Sequence, residues 1–371
     1  MYAYSYSKLE SKQEVYRVKM IWTGVPLLLL ALNKAPNYLT GKIANDERVV
    51  FFPTAANQIN ATHWSVPLHG WIFEPEVDSV KRKALIKALG KMFQLKDESE
   101  KHILKRRLMP FAVDNKSVKY VRIKIDKKSE QQQMMIHRLP RSAKDGHFFG
   151  NLTLPLVDND LQDGILHYKA IDSNRDFPGR VHIIPPTGMS IISDIDDTVK
   201  ITNYLDKKEF YKNTFIRDFQ AVPGMKDVFL KCNSHYDKCA FHFVSASPYQ
   251  LFEDLSSLFE AEGFPLATYH LKRIRVKDKT LLQLFADPFE YKIRQIERIL
   301  QKYPQRKFIL IGDSGEKDPE VYIELCRRYP DQIEKIWIRN VNDADASRMD
   351  GIDEVKWRYF SSGSDLMSEI I

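Results

Sequence analysis

Three stretches of this chain finish in carboxylates and hydroxyls: Ser193-Asp194-Ile195-Asp196-Asp197-Thr198, Ser245-Ala246-Ser247 and Gly312-Asp313-Ser314-Gly315-Glu316-Lys317-Asp318. Each follows an apolar run. Carboxylates grouped in this way can attack an electrophile, transfer a proton or ligate a hard cation. One apolar run ending in Asp signifies little, because Asp also caps turns and helices. Three such ends brought to one edge would form a site.

The elements that must bring them together are legible. Four apolar runs, MSIISDID (189–196), AFHFVSAS (240–247), KFILIGDS (307–314) and EKIWIRNV (334–341), read as strands. Helical stretches lie around 224–232, 248–262, 289–303 and 319–329. Apolar strands alternating with helices predict a parallel sheet covered on both faces. Ligands of such sheets bind at the carboxyl ends of the strands, where the three clusters fall. His242 alternates with strand apolars and reads as structural.

Upstream the texture differs. RVVFFPT after Glu47 and VPLHGWIFEPE (66–76) read as strands, each stopped at a proline. From Asp78, a capping residue, one basic amphipathic helix is predicted through about 107, with Lys81, Arg82, Lys83, Lys87 and Lys91 on its polar face. That face suits either solvent or an anionic membrane surface. Between Ser117 and Pro185, short runs with turn signals predict an antiparallel sandwich or small barrel. The domain expectation is a leader (1–45), a β-rich sandwich-like domain (46–185), an α/β domain with a doubly wound, Rossmann-like parallel sheet (186–350) and a C-terminal tail (351–371). LKRIRVKDK (271–279) reads as a charged edge strand or as the lining of an anion entrance.

The 371 residues leave room for about two domains, and 43% of them are apolar. The net charge of +7 suits an anionic partner, or simply solubility. Three cysteines, Cys232, Cys239 and Cys326, make no disulfide framework and no zinc spacing. Cys232 and Cys239 could pair in an oxidising compartment, or remain buried thiols. Met20–Leu32 is too short to span a bilayer but fits a signal's apolar part, a short buried helix or a peripheral contact. A cytoplasmic or peripheral membrane location is favoured, with export as the alternative. The sequons at Asn60, Asn115 and Asn151 decide nothing. There is no GxxxxGK[ST] loop and no GxGxxG after a strand, and nucleic acid is not an expected partner.

The three clusters carry a resemblance. DIDDT resembles the DxDx(T/V) signature of haloacid dehalogenase phosphatases, the strand ending at Ser245 their second motif, and GDSGEKD their GDxxxxD motif. SDIDDTVKIT, VSASPYQL and IGDSGEKDPEVY resemble, more narrowly, the actin-patch phosphatidate phosphatase family and its bacterial relatives. FFPTAA and HGWIFEPE resemble the N-terminal region of those relatives. The resemblance spans roughly 45–345.

It implies a Mg²⁺-dependent phosphatase acting on phosphatidate. Asp194 would be the nucleophile and a metal ligand. Asp196 would be the acid and base, its backbone carbonyl also on the metal. Asp313 would complete the metal site, with Asp318 assisting directly or through water. Ser245 would hold a phosphoryl oxygen, with Ser247 as a second contact, and Thr198 would orient the loop or touch substrate. A lysine should balance the charge: Lys292, by its place early in a helix before the third strand, with Lys277 and Lys279 as rivals. Asp197 reads as structural. Residues 200–220 are expected to form a flap over the site. The residues alone imply a phosphomonoester; the resemblance adds the phospholipid and peripheral membrane contact. The alternatives are a phosphatase of another lipid, a metabolite or a phosphoprotein, and a non-catalytic binding or adaptor protein.

Overall fold

The computed structural model describes residues 43–75, 80–125, 136–157, 160–274 and 288–370, which belong to one compact unit. Met20–Leu32, Asp78, Lys277 and Lys279 lie outside the described residues.

The first half is a nine-stranded sheet of β1 (Arg48–Phe52), β2 (Thr54–Gln58), β3 (His63–Pro75), β4 (Val113–Asn115), β5 (Arg122–Ile125), β6 (Ile136–Arg138), β7 (His147–Pro155), β8 (Ile165–Ala170) and β9 (Pro178–Ile183). The 13-residue β3 is its hub, pairing with β1, β2, β4 and β7. Alternation along β3 divides its side chains. Val66, Leu68 and Ile72 enter the core of this half, while Trp71 and Phe73 face the second half. The expected antiparallel arrangement needs correction: β2 and β9 pair in parallel, so the sheet is mixed, and it is organised by strands before residue 117. The single basic helix also needs correction. It is two helices, α1 (Val80–Met92) and α2 (Glu98–Leu108), and Asp97 caps the second by accepting from the Ser99 N–H at 3.0 Å.

The second half is a six-stranded, all-parallel sheet: β10 (Met189–Ser193), β11 (Ala240–Pro248), β12 (Thr268–Lys272), β13 (Lys307–Asp313), β14 (Ile333–Arg339) and β15 (Trp357–Phe360). Its order is β12-β11-β10-β13-β14-β15. Helices α3 (Lys207–Phe215), α4 (Met225–His235), α5 (Phe252–Glu262), α6 (Phe289–Lys302) and α7 (Asp318–Arg328) connect the strands. Ile191, Phe241, Phe243, Ile309 and Ile311 pack with α4 and α5. Ile192, Val244, Phe308 and Leu310 pack with α6 and α7. Strands buried on both faces read as unbroken apolar runs, which is why they were visible. β15 was not foreseen, and the edge strand expected from 271 is β12, which begins three residues earlier and ends at Lys272. Residues 351–370, expected as a tail, supply the edge strand β15 and a 3-10 turn (Gly363–Glu369) whose Leu366 is buried with Met225 and Val228.

The two halves share a core: Val50, Phe52, Trp71 and Phe73 are buried in one cluster with Phe243, Tyr249, Phe252 and Tyr269. Arg107 ties α2 to the segment after β10. It donates to the carbonyls of Thr214 and Arg217 and lies 3.7 Å from the Phe219 ring centroid. Arg107, outside the predicted basic face of Lys81 to Lys91, is therefore spent inside the protein.

Arg306, fully buried, performs a similar task at the junction of the halves. It donates to Ser190 Oγ and to the carbonyls of Pro185, Thr187, Met189 and Lys238. Arg306→Leu should leave several of these acceptors without a donor, each costing about 1–3 kcal/mol. A drop in urea midpoint equivalent to at least about 3 kcal/mol is expected; a drop under about 1 kcal/mol would show that water satisfies them instead.

Histidines that are buried or half-buried give the fold an acid limit. Burial pushes His147 and His270 down to about 4 and His182 to about 3. The unfolded histidines protonate near 6.5, so below that pH the unfolded chain binds more protons. Their stabilising contribution is complete above about pH 6.5 and is lost as pH falls toward 4, by up to about 1.4 kcal/mol per pH unit for each group. Urea titrations between pH 7 and 4.5 should show this slope. His147→Gln should reduce it by close to one proton, and an unchanged slope would count against the assignment.

Candidate active site

The carboxyl edge of the parallel sheet brings the three clusters together. Asp194 follows β10 directly, Asp313 ends β13, Asp318 opens α7 and Lys292 lies in the first turn of α6; all four are at most 1% exposed. Lys292 Nζ stands 3.1 Å from Asp194 Oδ1, 2.9 Å from Glu316 Oε2 and 2.5 Å from Asp318 Oδ1. Asp318 Oδ2 accepts from the Asp313 N–H at 3.2 Å, and Asp313 Oδ1 from the N–H groups of Gly315 and Glu316 at 2.7 and 3.1 Å. A side chain at Gly312 would bring its Cβ to 2.4 Å from Asp318 Oδ2, so glycine is what lets α7 dock its first carboxylate against β13.

Burial and mutual repulsion dominate the electrostatics. Burial first, then Asp318, Glu316 and Asp313, hold the Asp194 carboxyl well above its ordinary range, with Lys292 pulling the other way. Burial, Asp318 and Glu316 do the same to Asp313. Burial alone would lower Lys292, yet Asp194, Asp318 and Glu316 together raise it well above an ordinary lysine. One ammonium thus faces several crowded carboxylates, and the excess negative charge calls for a further cation.

The donor atoms suit one. Asp194, Asp313 and Asp318 each present a carboxylate oxygen within 4.8 Å of the others. Asp313 Oδ2 is buried and accepts no hydrogen bond among the described residues, and buried Asp194 Oδ1 has the Lys292 ammonium at 3.1 Å but no well-aligned hydrogen bond. A set of anionic oxygens with unsatisfied lone pairs fits a hard divalent cation. The Asp196 carboxylate stands outside this set.

Asp196 has its own setting. Its Oδ1 accepts from Lys200 Nζ and Thr202 Oγ1, both at 2.7 Å, and its Oδ2 from Ser247 Oγ at 2.6 Å and more loosely from Ser245 Oγ at 3.4 Å. Burial works against the ionised form, but Lys200, Ser247 and Thr202 prevail and hold the carboxyl below its usual value. Asp194 and Asp196, two residues apart, are therefore pushed in opposite directions. Such divergence is a mark of carboxylates with different tasks.

Lys200 and Glu316 were not foreseen as members of the site. Lys200 is 1% exposed and also contacts the Thr202 hydroxyl and, at 4.9 Å, the Phe219 ring centroid. Its signal was a lone lysine four residues past Asp196, between Val199 and Ile201. Thr198 Oγ1 reaches Asp194 Oδ2 only at 3.5 Å. Asp197 has φ of 55° and accepts the N–H groups of Thr202, Asn203 and Tyr204, folding the loop back on itself. From 200–220, Lys200 and Thr202 touch Asp196, while Tyr204 lines a cleft of about 550 Å³ beside Gly315 and Glu316. Cys232, Cys239 and Cys326 are free thiols, and burial pushes Cys232 and Cys239 up to about 12.

Residues 189–340 match the family model of the phosphatidate phosphatase APP1 catalytic domain. That span holds every residue of the cluster. The chain is 33% identical over 189 residues to phosphatidate phosphatase APP1 of Saccharomyces cerevisiae, covering 50% of this chain and 31% of that protein. It is 31% identical over 170 residues to an uncharacterized protein of Schizosaccharomyces pombe, covering 44% and 27% respectively. The chain thus spans under a third of the length of these curated relatives. The match to a phosphatidate phosphatase catalytic domain is confined to the part of the chain that carries the carboxylate cluster. A solved carbohydrate esterase structure aligns over 82% of this chain and 91% of its own at 11% identity, but its TM-score of 0.21 carries no argument.

Proposed function

We propose that the protein is a phosphoric monoester hydrolase of the haloacid dehalogenase type, with a Rossmann-like doubly wound catalytic domain, acting on phosphatidate to give diacylglycerol and phosphate. The observation that supports this reading most is the buried Asp194–Asp313–Asp318 triad with Lys292, set at the carboxyl edge of the parallel sheet inside the span similar to the APP1 catalytic domain.

The Asp194 carboxylate attacks phosphorus and forms an aspartyl-phosphate as the bond to the leaving alkoxide breaks. Asp196 gives that alkoxide its proton. The arriving phosphate, bringing negative charge beside Asp196, raises its proton affinity for this task. Asp196 then takes a proton from water, which attacks the same phosphorus and frees phosphate and Asp194. Lys292 balances the phosphoryl oxygens, and Ser245 and Ser247 exchange Asp196 for a phosphoryl oxygen. Thr198 keeps the loop in register. Asp194, Asp313, Asp318 and the Asp196 carbonyl would hold Mg²⁺, which supplies charge neutralisation at the phosphate. The N-terminal sheet and peripheral contact of the protein would present the site to phospholipid.

The test is phosphate release from phosphatidate in mixed micelles, beside a soluble aryl phosphate, with Mg²⁺ or chelator, for wild type and Asp194→Asn. Release from phosphatidate that requires both Mg²⁺ and Asp194 is expected. Release from the aryl ester alone would retain the hydrolase and remove the lipid. No release from folded protein would remove both and favour a binding role.

A further inference from the structure

A second cavity lies away from the carboxylates, between β2, β3 and β7 of the first sheet and β11, β12 and the end of α6. Its volume is about 380 Å³, within the range of small-molecule sites. Lys292 and Lys302 stand ten residues apart on α6, roughly 15 Å along a helix. The cavity, at the Lys302 end, shares no lining residue with the Asp194 cluster.

Most of its wall is apolar: Pro53, Leu68, Phe149, Tyr249, Tyr269 and Ile299 line it. Phe149 is 46% exposed although it is a large ring, stacked on His69 at 4.2 Å. Charge enters from α6, where Arg298 and Lys302, one turn apart, line the same cavity. Lys302 donates to the Ala55 carbonyl. Among the described residues no carboxylate forms an ion pair with Lys302 or Arg298, whereas Arg273, close to Phe149, is already paired with Asp145. Burial lowers Lys302 to about 8, with no anion raising it. His242 and His270 also line the wall, and the charges acting on them are cations or other histidines. His242, 1% exposed, bonds Thr268 through Nδ1 at 2.7 Å and leaves Nε2 without a partner.

An apolar pocket with cations at one end and, among the described residues, no counter-ion has the polarity of an amphiphilic anion. We propose that this cavity binds a single-chain acyl anion, its carboxylate or phosphate head at Lys302 and Arg298 and its chain along Leu68, Phe149 and Tyr249. The site is separate from the hydrolytic one and does not rest on that reading. An occupant there would bridge the two sheets.

Calorimetric titration of the full chain with dodecanoate, dodecyl phosphate and dodecanol tests this, with the phosphate arm run in Asp194→Asn protein under chelator. Binding of either anion at one per chain is expected, with affinity at least about tenfold above that of dodecanol. The tighter of the two anions identifies the head. Lys302→Met and Arg298→Gln should each weaken anion binding about tenfold while leaving dodecanol unchanged, and Asp194→Asn should leave dodecanoate binding intact. If Lys302→Met does not fold, Arg298→Gln, at an exposed position, decides. Equal binding of dodecanol, loss of dodecanoate binding in Asp194→Asn, or no binding by folded protein would each overturn the proposal.

Discussion

Lys292→Met should abolish phosphate release and lower folding stability by about 3–5 kcal/mol at neutral pH, the cost of removing one partner from a buried ion pair. The methionine keeps the volume of the lysine stem, so the loss reports charge. With the ammonium gone, Asp194, Glu316 and Asp318 lose the cation that contacts all three. The pH dependence has a definite sign. Asp194, Asp313 and Glu316 are already raised by burial and by each other, and without Lys292 they rise further. Groups with a raised folded value bind more protons folded than unfolded, so the deficit should grow as pH rises above the ordinary carboxylate range and shrink as the cluster protonates. Urea denaturation at pH 5 and pH 7.5 reads this directly. Mg²⁺ should recover part of the lost stability by mass action on the folded state. A variant as stable as wild type at pH 7.5 would show that the carboxylates are not a charged cluster held by this lysine.

Asp194→Asn should separate activity from stability. Loss of an attacking group costs at least about a thousandfold in turnover, while the asparagine amide preserves shape. The protein should nevertheless become more heat-stable. At neutral pH an ionised Asp194 is held against burial and three neighbouring carboxylates, and asparagine removes that repulsion. Calorimetry in chelator should show a higher Tm than wild type, and Mg²⁺ should raise it by less than it raises the wild type. A lower Tm would mean that the Lys292 contact outweighs the repulsion. Retained turnover would move the nucleophile elsewhere.

Much of this architecture was written in local pattern. Strands β10, β11, β13 and β14 are buried on both faces, so each is an apolar run that needs no tertiary information to be seen, and α4 to α7 lie within a few residues of their expected bounds. β15 was missed, and β12 was placed three residues late, for the converse reason. Thr268–Lys272 and Trp357–Phe360 are the two edges of the sheet and interleave polar residues with apolar ones, so only pairing with β11 and β14 marks them as strands. The split between α1 and α2 had a local sign, Asp97 before Ser99, which the continuous basic character concealed.

The residue types around the site were equally legible, because three apolar runs ending in carboxylates or hydroxyls at one sheet edge are far less common than one Asp capping a turn. Local pattern was enough to send Asp194, Ser245, Ser247 and Asp313 to one edge, since once the four apolar runs pair in parallel their carboxyl ends fall together. Tertiary structure decided which cation serves which carboxylate. Lys292 lies 98 residues after Asp194 and 24 before Glu316 in the chain, yet in space it contacts both, while Lys200, four residues past Asp196, turns inward to that carboxylate. No local spacing encodes that choice, because it depends on how α6 packs against β13 and how the loop after β10 folds back. The cavity beside Lys302 is likewise a product of two sheets meeting, and its charge becomes visible only once the fold shows that no carboxylate among its lining residues faces Lys302 and Arg298.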